Sequence, residues 1–202
     1  MAIWDINERY KKARAFQENA AGDRGLFGGG YTDAYVNVID YISISSLANA
    51  TDSDRNTAIG YNALAVMTGI SDYTGNTAVG HNAGVVLTTG VSNTFMGTYA
   101  GDGTDDGSYN TAVGEQALSA NCGNSNTAVG RQAGVIATGN YNTFVGALAG
   151  NTTAAADSNI CIGYNTECED ATATKQFIIG VSLNGTADDA VFIGDDGDHI
   201  RC

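Results

Sequence analysis

The sequence predicts an all-β chain: a parallel β-solenoid of about nine coils, with a short N-terminal helix in front of it. Three observations lead there. The pentapeptide NTAVG occurs at 76–80, 110–114 and 126–130, with NTAIG at 56–60, NTFMG at 93–97, NTFVG at 142–146 and NICIG at 159–163. The motif glycines, from Gly60 through Gly80, Gly97, Gly114, Gly130, Gly146, Gly163 and Gly180 to Gly194, follow at intervals of 20, 17, 17, 16, 16, 17, 17 and 14. The chain also holds 27 Gly and no Pro, which suits unbroken hydrogen-bond ladders because Pro cannot donate to one. Each unit is too short for a pair of helices, and Gly, Asn and Thr are poor helix formers. A strand closed by tight turns is what fits.

The first element, over 5–18, reads as a helix. Asp5 stands three residues before Glu8 as in a capping box, and Ile6, Tyr10, Ala13 and Phe16 form a stripe at helical spacing. Such a stripe is a packing face. With Trp4 it is assigned to attachment or oligomerisation, within a segment spanning 1–21. Gly22, Gly25 and Gly28 to Gly30 then break the helix, and YVNVIDYISIS at 35–45 reads as one strand or two. Residues 22–55 form the connector, 56–194 the repeats, and 195–202 an acidic tip.

Within a repeat, side chains alternate between faces with a period of two. The second and fourth positions share one face, running from Thr57 and Ile59 through Thr111 and Val113 to Val191 and Ile193. The third points the other way: Ala58, Ala78, Phe95, Ala112, Ala128, Phe144, Cys161, Ile178, Phe192. Both faces are apolar, as in a covered parallel sheet. One fills the coil; the other needs a cover, for which the simplest source is another copy. A Phe in every third layer suggests a space filled at an axis, so Phe95, Phe144 and Phe192 join the oligomerisation residues. The Thr column is expected to be buried with Val, Ile and Met, which argues against an ice-binding array. The first position is Asn in seven consecutive coils (Asn56, Asn76, Asn93, Asn110, Asn126, Asn142, Asn159), and stacked amides can form a ladder. After the motif Gly comes x-x-Ala, then a follower that reads Leu64, Gly84, Gly101, Leu118, Gly134, Gly150. With Ala-Ala-Phe at the third position, three coils form a super-repeat. The interval of 20 implies an insertion near 70–73.

The net charge is −13, and five of the nine Lys and Arg lie in the first 24 residues. Without a basic surface the acidic remainder is unsuited to nucleic acid. The N-terminus places charges where a signal peptide is apolar, and no stretch approaches the ~20 apolar residues of a membrane-spanning helix. Cys122, Cys161, Cys168 and Cys202 show no metal spacing, and Cys161 reads as a small buried apolar residue. No nucleophile motif, phosphate loop or dinucleotide fingerprint occurs, so no catalytic residue, metal ligand or cofactor is assigned. His81 is a turn residue. The Asp-rich turns at 102–106 and 195–198 match no calcium loop and read as solvated turns.

The NTAVG coils resemble the head repeats of trimeric autotransporter adhesins, and more closely the NTAVGxxAG repeats of phage tail fibres, over roughly 56–194. GDRGLFGGGYTDAYVNVIDYISISSLANATD resembles a single kelch-like unit of marine phage fibre proteins. The resemblance implies a trimeric structural fibre of a phage particle. Such a protein is assembled in the host cytoplasm, resides in the virion and binds other virion proteins through its N-terminus. The alternative is a dedicated adhesin that contacts a host glycan or protein, with Asp195, Asp196, Asp198, His199 and Arg201 as the candidate tip. A capsid decoration protein or a glycan-hydrolysing tailspike is a weaker reading.

Overall fold

The computed structural model describes residues 55–67, 74–168 and 174–195, and 199–201 by their backbone. All lie in the unit Ser43–Cys202. The expected helix, the connector strands, the attachment residues Trp4, Ile6, Tyr10 and Phe16, the insertion near 70–73, and Asp196 and Asp198 fall outside the described residues.

The described chain is all β, with no helix. Ten strands form one sheet in sequence order: β1 Thr57–Ile59, β2 Thr77–Val79, β3 Thr94–Met96, β4 Thr111–Val113, β5 Thr127–Val129, β6 Thr143–Val145, β7 Ile160–Ile162, β8 Phe177–Val181, β9 Val191–Asp195 and β10 His199–Arg201. The first nine pair in parallel with like motif positions in register, Thr77 on Thr94 and Ala78 on Phe95. Nine strands in parallel make about eight turns of solenoid. At ~4.8 Å per rung, β1 to β9 spans roughly 38 Å. The last strand lies within the segment read as the tip: β10 turns back and pairs antiparallel with β9, His199 opposite Gly194 and Arg201 opposite Phe192. It hydrogen-bonds to an edge that would otherwise offer free backbone groups.

Strands β1 to β7 are short because glycine ends each one, whereas β8 and β9 run one residue past theirs. Gly80 has φ 140°, and its counterparts from Gly60 to Gly163 lie between 126° and 140°. A Cβ at Gly60 would sit 2.5 Å from the Gly80 carbonyl oxygen one rung away, so the column admits no side chain. In each coil from Asn56 to Asn142, three corners then use left-handed φ. In the coil that begins at Asn76 these are Asn82 (55°), Gly84 (58°) and Ser92 (56°). The first closes a turn in which Ala83 N–H donates to Gly80 C=O at 3.4 Å. The chain thus returns to the sheet after 16 or 17 residues, and backbone bonds link successive coils on every side, as from Gly84 N–H to Ala100 C=O at 2.9 Å.

The third motif position faces the lumen. Ala78, Phe95, Ala112, Ala128, Phe144, Cys161 and Ile178 are fully covered by their own chain, and Phe192 nearly so. This corrects the expectation that the Phe residues meet partner chains: they fill the coil. The followers explain the three-coil rhythm. A Cβ on Gly101 would lie 2.5 Å from the Phe95 ring, one on Gly84 2.8 Å from it, and one on Gly134 2.6 Å from the Phe144 ring. Where the third position is Ala and the next ring is two layers away, the follower is Leu64 or Leu118, buried, with φ 49° and 50°. Each three-coil block is therefore packed by one Phe entering from the sheet and one Leu at the follower position, with glycines making room for the ring; the first block adds Met67 and Leu87.

The other face, of second and fourth positions, points outwards. Ile59 and Met96 are each 46% exposed, and the rest of the face is half-buried or exposed. The Thr column expected to be buried is therefore open at the surface of the single chain.

Candidate functional site

The Asn column is built into the corner that precedes each strand. Asn76, Asn93, Asn110, Asn126, Asn142 and Asn159 are buried, and each amide from Asn76 to Asn142 has two tasks. Its oxygen accepts the backbone N–H of the next column member: Asn76 to Asn56 at 2.8 Å, Asn126 to Asn110 at 2.8 Å, Asn159 to Asn142 at 3.0 Å. Its nitrogen donates to a carbonyl near the end of the same coil: Asn76 to Gly90 at 2.9 Å, Asn93 to Gly107 at 2.8 Å, Asn126 to Gly139 at 2.9 Å, Asn142 to Ala156 at 2.7 Å. One side chain thus closes its own coil and holds the next. The column continues into Gln176, whose N–H donates to Asn159 and whose side-chain amide donates to Ala187 C=O, both at 3.0 Å. Gln keeps the Asn chemistry with one more methylene, the signal within QFIIG that links it to the column.

A second ladder, which the sequence reading missed, runs two residues earlier on the outside of the same corner. Ser108 N–H donates to Asn124 Oδ1 and Asn124 N–H to Asn140 Oδ1, each at 2.8 Å, and Asn140 N–H to Asp157 Oδ1. Its bonds run to the following coil, whereas the buried ladder's run to the preceding one. The residue between the two ladders is Ser92, Tyr109, Ser125, Tyr141 or Ser158, all left-handed. Tyr109 and Tyr141 are 62% and 65% exposed and stand two rungs apart. A large side chain at left-handed φ is disfavoured, and these rings gain little packing in return.

The turn after the motif Gly carries other exposed rings. His81 stacks on Tyr61 with centroids 5.5 Å apart and meets Tyr99 edge-on at 5.1 Å. Of the expected tip, Asp195 ends β9 and is exposed, while His199 and Arg201 belong to β10; the backbone brings these three to one hairpin.

Titratable groups in the coil interior are few. Glu167 is buried and its Oε2 accepts from Thr152 N–H at 3.0 Å and Thr152 O–H at 2.6 Å. Burial pushes its carboxyl above the usual range, against those bonds. Asp102 is raised by burial too, with a Ser119 hydrogen bond opposing. Cys161 and Cys168 are buried free thiols with their sulfurs 3.1 Å apart. Among the described residues no group of three His, Cys, Asp or Glu is placed to hold a metal ion. The chemistry on offer is that of surfaces: a long open apolar strip, a corner with two polar ladders and protruding Tyr rings, and an acidic hairpin. No protein-family model, curated protein or solved structure matches this chain.

Proposed function

We propose that this chain is a structural rod of a phage particle, a homotrimer attached through its N-terminal segment and buried along its outer strand face. The observation that carries the reading is that face. It runs for nine rungs with Thr, Val, Ile, Met and Phe and no charged residue, on a chain of net charge −13. Contiguous apolar surface of this kind marks an interaction site, and the rest of an acidic surface repels its copies. A strip that repeats every rung is best covered by an element with the same repeat, which another copy supplies. The sequence resemblance to fibre repeats points the same way. Sedimentation or native mass measurement tests it: a particle of three chains is expected, and a stable monomer contradicts it.

A second reading, adhesion to a host glycan or protein, is favoured by Tyr109 and Tyr141. Tyr exposes a rigid ring and a hydroxyl at small entropic cost, which suits recognition. Serine occupies the same conformation at 92, 125 and 158, so Tyr109→Ser with Tyr141→Ser leaves the coil intact. In the adhesin reading this double variant loses binding to host cells while keeping its melting temperature. Binding that persists assigns adhesion elsewhere, and no binding by the parent protein removes the reading.

A further inference from the structure

We propose that Cys161 and Cys168 form a dithiol redox site, which a small-molecule disulfide converts into an intrachain disulfide across the coil lumen. The case starts from the column. Cys161 stands in register with Phe144 on one side and Ile178 on the other. It occupies the position at which a Phe, in two other coils, reaches across to the opposite turn. Here a thiol from the sheet and a thiol from the turn meet, with sulfurs 3.1 Å apart and both side chains buried. A disulfide needs about 2.05 Å, so the sulfurs close by roughly 1 Å. In the coils of Phe95 and Phe144 the layer is filled by a ring. In this coil it is filled by two groups that can bond to each other.

The two thiols are unlike. The hydrogen bond between the two sulfurs holds the Cys168 thiol below the usual range and, together with burial, pushes Cys161 far above it. Cys168 is therefore the attacking thiolate. It attacks one sulfur of the small disulfide, the S–S bond of the reagent breaks, and one small thiol leaves. Cys161 then loses its proton and attacks Cys168 sulfur in the mixed disulfide, and the second small thiol leaves. The protein gives up two electrons and two protons, and the reagent is reduced to two thiols. The new bond closes the segment from 161 to 168 around the Gly163 corner, near the end of the Asn column. It braces the coil there once the chain leaves a reducing compartment, and it does not depend on the fibre reading.

The test uses the full chain and a reduced/oxidised glutathione pair, in one arm native and in a second during refolding from denaturant, so that burial cannot hide the thiols. After alkylation, tryptic cleavage at Arg131 and Lys175 leaves Cys161 and Cys168 in one peptide, 132–175, with Cys122 and Cys202 outside it. That peptide is expected to be two hydrogens lighter and to take no alkyl group. The oxidised chain is expected to melt roughly 5–10 °C above the reduced one. Cys161→Ala, which places there the residue found at 58, 78, 112 and 128, abolishes the difference. Full alkylation of 132–175 in both arms overturns the proposal. So does glutathione retained on Cys168, or pairing of either cysteine with Cys122 or Cys202.

Discussion

Asn126 illustrates how much one residue does in this fold. Its oxygen accepts Asn142 N–H at 2.9 Å and its nitrogen donates to Gly139 C=O at 2.9 Å, all buried. Asn126→Ala leaves both backbone groups without a partner, and the cost expected is about 2–4 kcal/mol by denaturant titration. A loss under 0.5 kcal/mol would show that water replaces the amide. The lumen gives a complementary test. Gly101→Ala drives a Cβ into the Phe95 ring at left-handed φ and should cost about 2–5 kcal/mol. Phe95→Ala empties the lumen and should cost about 3–5 kcal/mol. Combined as Phe95→Ala with Gly101→Leu, the coil acquires the Ala and Leu pair seen at Ala112 and Leu118, and the double variant should be more stable than Phe95→Ala alone. Additive losses contradict the packing described. At this scale the rhythm of Ala, Ala and Phe was plain in the sequence, but its direction was not. A period of two separates the faces without saying which is inside, and both faces are apolar. The deciding sign was the follower column, where Gly stands beside the Phe95 and Phe144 rings and Leu64 and Leu118 stand one coil before the first of those glycines in each block.

The coil as an element was largely legible. The Asn, Thr and Gly spacing placed every strand start from β1 to β6 and the parallel register, because Gly must occupy the corner where coils approach within backbone contact. The outer ladder escaped notice because Ser108, Asn124, Asn140 and Asp157 differ in type and share only an acceptor atom at one position. The antiparallel return of β10 left no pattern, since three residues carry no periodicity. Glu167 gives this scale its pH dependence. Its raised carboxyl holds a proton in the folded chain where the unfolded chain has lost it. Its contribution is therefore complete below the ordinary carboxylate range and lost as pH rises through the raised value. Melting temperature is expected to rise as pH falls from neutral through the raised value, and Glu167→Gln to flatten that rise and to melt higher at neutral pH. An unchanged profile in Glu167→Gln would show that the carboxyl is solvated.

For the solenoid as a molecule, the proposed trimer rests on the open face of Thr and Val columns. Backbone bonds join successive coils and side chains fill the lumen, which leaves the outer strand face open. A charge placed on that surface leaves the coil intact, because the position faces outwards in the single chain, and blocks a dry contact between copies. Val113→Lys is expected to keep the circular dichroism of the parent, to change intrinsic coil stability by less than about 1 kcal/mol, and to release single chains. The mass of the native particle is the most direct measurement. An assembly of three 20.8 kDa chains that falls to one chain in Val113→Lys is the result expected. A parent protein that sediments as a single chain at micromolar concentration would contradict the covered face and the trimer with it.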